Sequence, residues 1–103
     1  MLLSYIKSRY NPFVDLVWSG CDGPVTRSQV CDADPLDGAE PYSGGIWSKA
    51  QHAARIRHLA EHGWGDPIVI DWTQDVPVLD GNHRLAAALW RGDTSISAVE
   101  RGP

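Results

Sequence analysis

The stretch LDGNHRLAAALWRGD, Leu79 to Asp93, constrains the fold more than any other part of the chain. Its apolar run, with a glycine before and after it, predicts a helix from about Asn82 to Arg91 that Gly92 ends. What precedes the helix is an acidic residue, a glycine and three polar or basic residues, a tight strand-to-helix turn. Such a turn has two readings. In the first, Asp80 or Asn82 caps the helix, Arg84 pairs with Asp80, and Leu85, Leu89 and the alanines pack inward. In the second, Gly81 lets another molecule approach, and the free backbone N–H groups and the helix dipole favour an anion. Asn82 and His83 then donate hydrogen bonds, and the planar fork of Arg84 clamps phosphate oxygens.

The flanking segments supply the rest of a small domain. Trp47 to His62, WSKAQHAARIRHLAEH, predicts a helix capped by Ser48 and stopped at Gly63. Ala53, Ile56, Leu59 and Ala60 share one face of it, while Arg55, His58 and His62 share another. Pro67 to Trp72 and Val76 to Leu79 read as strands joined by a turn at Thr73 to Asp75, with Pro77 marking an edge or bulge. Ser95 to Glu100 alternates as a closing strand, and Phe13 to Trp18, FVDLVW, is rich in β-formers and reads as a first strand. The expected fold is therefore α+β, a small α/β arrangement of a mixed sheet of about four strands with two main helices. Residues 1–103 form a single domain, within which 19–45 is a long acidic loop rich in glycine and proline.

Charge has a location. Between Ser19 and Gly45, Asp22, Asp32, Asp34, Asp37 and Glu40 face Arg27 alone, which accounts for the whole net charge of -4. The remainder is balanced, so a broad basic face for a nucleic-acid backbone is absent from the pattern and direct DNA binding is disfavoured. No apolar run approaches the ~20 residues of a membrane span. The opening MLLSYIKSRY places its basic residues after the apolar patch, the reverse of a secretion signal, so a cytoplasmic setting is expected. Cys21 and Cys31 lack zinc spacing and read as reduced, structural residues. His58 and His62, four apart, have the spacing of a chelating pair but no evident third ligand, so no metal is assigned.

The run LAEHGWGDPIVID, a hairpin, and DGNHRLAAALWRGDTSISAVE together resemble the ParB/sulfiredoxin superfamily over about residues 47–100. The resemblance implies a helix ending in glycine, a hairpin, a Gly-x-x-Arg-type turn with its helix, and a closing strand. It also implies that Gly81, Asn82, His83 and Arg84 wrap the phosphates of a nucleotide such as ATP, ADP or CTP with magnesium. Asp80 would support the turn. Lys49 and His52 are similar in spacing to a lysine and a serine that sulfiredoxins place beside the phosphates. Asn82 stands where sulfiredoxins carry their redox cysteine, which excludes sulfinic acid reduction. His83 stands where CTP-binding partition proteins carry an arginine, and no room for their helix-turn-helix follows Glu100. For a related free-serine kinase the general base is acidic, and Asp80 and Glu40 are the candidates here.

Two functions follow. One is a nucleotide- or phosphate-binding domain, extending to a small phosphotransferase or NTPase. The other is a stand-alone protein-interaction module, such as a phage or mobile-element inhibitor of a nucleic-acid-handling complex. That module would present Asp32, Asp34, Asp37 and Glu40 to a basic partner. Nuclease activity ranks below both, because the loop acids miss the spacing of a calcium-binding loop by one residue.

Overall fold

Ile68, Val69 and Ile70 alternate between buried and half-buried, and they form the middle strand of a three-stranded mixed sheet in the computed structural model, which describes residues 1–102. This strand, β1 (Ile68–Ile70), pairs antiparallel with β2 (Val78–Asp80) and parallel with β3 (Ala98–Glu100). The register against β2 shifts between Val69 and Ile70, opposite the segment that Pro77 introduces, so the expected edge and bulge are both present. The helices are α1 (Leu3–Lys7), α2 (Pro12–Asp15), α3 (Arg27–Asp32), α4 (Lys49–His62) and α5 (Asn82–Arg91), with a 3-10 turn at Pro35–Gly38. The protein is a mixed α+β structure whose two longest helices are α4 and α5.

Helix α5 sits between two apolar clusters. Leu85, Ala88 and Leu89 pack with Ile6, Ile68, Ile70 and Val78, on the side of α1 and the sheet. Ala86 and Ala87 pack with Val25, Val30, Ala53, Ile56 and Ala60, on the side of α3 and α4. A helix apolar on two sides belongs in an interior, and its alanines let neighbouring elements approach closely. The chain start is tied to the same core: the Met1 amine donates to the Ile96 carbonyl at 2.9 Å, and Ile96 N–H donates back to Met1 at 3.0 Å.

Two expectations are corrected. The sheet has three strands among the described residues, because Phe13 to Trp18 is not a strand. Pro12–Asp15 turns as one short helix, with the Asn11 side chain accepting from Phe13 N–H at 3.0 Å and proline at its first position. A cap plus a preset φ outweighs the β preference of Phe13 and Val14 there, and Leu16 then resumes extended backbone. Residues 19–45 are also more structured than a loop. Thr26 and Gln29 form a reciprocal capping box at the head of α3. The 3-10 turn docks on α4 so closely that a Cβ on Gly38 would overlap the Ala54 carbonyl. Arg55 fastens it, donating to the carbonyls of Gly38 at 3.1 Å and Ala39 at 3.3 Å. Both cysteines are free thiols, Cys21 half-buried and Cys31 exposed on α3. No helix of the described residues is long and apolar enough to cross a membrane.

Candidate functional site

Gly81 governs the geometry of the turn. It adopts φ 98° and ψ 24°, a left-handed conformation, and it precedes α5 without any side-chain cap on the first turn. A Cβ at this position would lie 2.6 Å from Ile68 Cγ2 and 3.0 Å from the Arg84 guanidinium, so space as well as φ requires glycine. The carboxamide of Asn82 does not cap the helix either. Its Nδ2 donates to the Val78 carbonyl at 3.0 Å, and its Oδ1 accepts from the buried Tyr10 hydroxyl at 2.7 Å. Asn82 therefore anchors the turn to the interior, and burial raises the Tyr10 phenol above its ordinary range. The consequence for chemistry is an N-terminus whose early N–H groups lack side-chain partners.

Arg84 lies back over Gly81. Its Nη1 donates to the carbonyls of Asp66 at 3.1 Å and Pro67 at 3.2 Å, and its Nη2 stands 3.2 Å from Asp80 Oδ1. The two partners differ in setting: the Arg84 side chain is 14% exposed and that of Asp80 is 73% exposed. The guanidinium is held by backbone carbonyls, whereas the carboxylate is a solvated group resting on it. An exposed i,i+4 pair of this kind contributes about 0.3–0.5 kcal/mol, so Asp80 is easily displaced.

Beside the turn opens a cleft of about 620 Å³ between α4, the Gly63–Asp66 segment and the head of α5. Arg55, Arg84, His58 and His83 line it, with the indoles of Trp47 and Trp64. Asp66 and Asp80 also line it, both exposed, whereas Arg55 and Arg84 are half-buried. The cationic groups are thus the fixed part of the wall and the anionic ones its wet rim.

Behind the cleft the rings of His83 and His52 meet. His52 Nδ1 and His83 Nε2 are 2.8 Å apart, a distance that requires one proton between them, donated by either ring. The Trp18 indole stacks on both rings, with centroids at 4.1 Å and 4.4 Å. Trp47 approaches both at 5.1 Å, tilted by 32°. Burial pushes His83 down to about 3, aided by His52 and the charges of Arg55 and Arg84. Burial alone pushes His52 down to about 4. Both imidazoles are neutral at pH 7.

The structure therefore gathers Asp80, Gly81, His83 and Arg84 on one cleft, with His52 behind His83. Lys49 does not line that cleft. It pairs with the exposed Asp22 at 2.7 Å, and this contact holds the Asp22 carboxyl below its usual range. Asp32, Asp34 and Asp37 line a separate shallow cleft of about 440 Å³ floored by Ala50, Ala53 and Ala54, which Glu40 does not join. The rings of His58 and His62 lie 4.4 Å apart, tilted by 34°, and among the described residues no group of three or more His, Cys, Asp or Glu is placed to hold a metal. Sequence reasoning missed Arg55, Trp18, Trp47 and Trp64 as site residues. Arg55 was within reach, since it continues the helical stripe that contains His52 and His58. No family model matches the chain, nor does any curated protein or solved structure.

Proposed function

We propose that the cleft beside the Gly81–Arg84 turn binds a phosphate-bearing ligand, with a nucleotide as the best-fitting class. The observation that carries this reading is the convergence of an uncapped helix start and two half-buried guanidinium groups, Arg55 and Arg84, on one cleft. Amides at a helix start and bidentate arginine forks both prefer phosphate oxygens. Trp47 and Trp64 give the same cleft flat apolar surface for a base or another planar group. Kinship with the ParB/sulfiredoxin superfamily belongs to this reading. The order of hairpin, glycine turn, helix and parallel closing strand supports it. A cytoplasmic setting accompanies it, in keeping with two free thiols. Calorimetry with ATP, ADP and CTP, each with and without magnesium, tests the proposal. Sub-millimolar binding that Arg84→Ala and Arg55→Ala both weaken is expected. Absence of heat from all three nucleotides and from inorganic phosphate overturns it.

A second reading rests on the other cleft. Three carboxylates, Asp32, Asp34 and Asp37, ring an alanine floor, a surface suited to a basic protein segment with an apolar anchor. It corresponds to the inhibitor-like interaction module. Its test is binding of a lysine- and arginine-rich peptide by wild-type protein and by the triple Asp→Asn variant. Equal binding by both removes the reading.

A further inference from the structure

We propose that His83 is a phosphoryl acceptor whose Nδ1 takes the terminal phosphoryl group of a nucleoside triphosphate bound in the cleft, with His52 as its positioning residue. This rests on the phosphate-binding reading above and adds an activity to it. With His83 Nε2 held 2.8 Å from His52, Nδ1 is the ring nitrogen left over. It has no partner, yet it is not sealed from solvent: among the described residues, His58 Nδ1 is the sealed side-chain atom without a hydrogen bond. His83 borders the cleft and occupies the second position of α5, where the helix start favours a phosphoryl dianion. Arg84 follows it directly, and the Trp18 and Trp47 indoles restrict rotation of its ring.

A nucleophilic nitrogen held by a second group that orients it and takes its proton is the general plan of an activated nucleophile. In the reactive tautomer, His83 donates its Nε2–H to His52 Nδ1, leaving the Nδ1 lone pair free. That pair attacks the γ-phosphorus. The N–P bond forms as the P–O bond to the β-phosphate breaks, and the nucleoside diphosphate leaves with the bonding electrons. Positive charge developing on the His83 ring is discharged when its Nε2 proton passes to His52. The product is a phosphoimidazole at His83, and His52, held near 4, stays neutral by releasing its Nε2 proton to solvent as its Nδ1 takes the proton from His83. Because burial and the neighbouring Arg55 and Arg84 keep His83 unprotonated, the lone pair is available at neutral pH.

The test incubates the full chain with γ-labelled Mg-ATP and, separately, with phosphoramidate as a small phosphoryl donor. Intact mass and peptide mapping should find an acid-labile, alkali-stable phosphoryl group on His83 from both donors. At saturating ATP, with occupancy verified by calorimetry, His83→Gln should carry no label. His52→Asn, whose carbonyl can accept the Nε2–H but cannot take the proton, should bind ATP and label about 100-fold more slowly. ATP binding without label from either donor overturns the acceptor role and leaves the binding reading standing. Label on any other residue also overturns it. Failure to bind ATP or inorganic phosphate, with no label, removes both.

Discussion

Asp80 and Arg84 meet across Gly81 at 3.2 Å, so the guanidinium best placed to clamp an anion already has a carboxylate resting on it. The pair is lopsided, with a held cation and a solvated anion, and a phosphate entering the cleft would compete with Asp80 for the same donor. Asp80→Asn should therefore raise phosphate affinity by about twofold, the worth of an exposed helix pair. Arg84→Ala should lower it by about 10-fold or more, since charge-assisted hydrogen bonds contribute about 1.5–3 kcal/mol. Calorimetry on the two variants measures both, and opposite signs are the signature.

The paired histidines give stability a pH dependence. Both are held below the ordinary histidine value, to about 4 for His52 and about 3 for His83. The unfolded chain consequently binds protons that the folded chain refuses, and stability falls as pH drops from about 6.5 toward 4. Urea midpoints should decline between pH 6.5 and 5, above the range where most carboxylates titrate. The double variant His52→Gln/His83→Gln should flatten that part of the curve.

Two glycines at opposite ends of α5 should respond differently to alanine. At Gly81 the φ of 98° is joined by contact with Ile68 and Arg84, whereas Gly92, at φ 82°, has open space around it. Gly92→Ala should cost about 1 kcal/mol from backbone conformation alone. Gly81→Ala should cost at least about 2 kcal/mol and should also weaken phosphate binding by pushing Arg84 aside. Urea denaturation separates the two.

Gly38 tests the order seen within residues 19–45. A methyl group there would run into the Ala54 carbonyl, so Gly38→Ala should lift the 3-10 turn off α4 at a cost of about 1–3 kcal/mol. Faster proteolysis between α3 and α4, with α5 still protected, is the expected readout.

Lys49 offers a contrast. Its ammonium is committed to exposed Asp22 and lies outside the lining of the cleft. Lys49→Ala should leave phosphate affinity within about twofold and the urea midpoint little changed, because its partner Asp22 is fully solvated.

What the sequence made legible was whatever depended on neighbours along the chain. Helix α5 begins at Asn82 and ends at Arg91 as expected, because Gly81 and Gly92 mark its ends and the apolar run leaves no other choice. Helix α4 has its Ser48 cap, and the hairpin and closing strand follow in order. Phe13 to Trp18 misled because residue preference for strand was weighed without the Asn11-Pro12 cap in front of it. Helix α3 escaped because six residues are too few to show a period, although the Thr26/Gln29 box announced it. The site was half legible. Gly81, His83 and Arg84 share a turn and could be grouped by adjacency, but Trp18, Trp47 and His52 reach His83 only through the fold. Nor does local sequence reveal that Arg84 would fold back onto the carbonyls of Asp66 and Pro67.

Because α5 is a wall common to both apolar clusters, and Asn82 ties its first residue to Tyr10 and Val78, the helix is held at its head as well as along its length. Amide protons of Ala86 to Ala88 should exchange with deuterium only when the whole molecule opens. A guest arriving at the head of that helix would meet a floor that was set during folding, and little ordering would remain to oppose its capture.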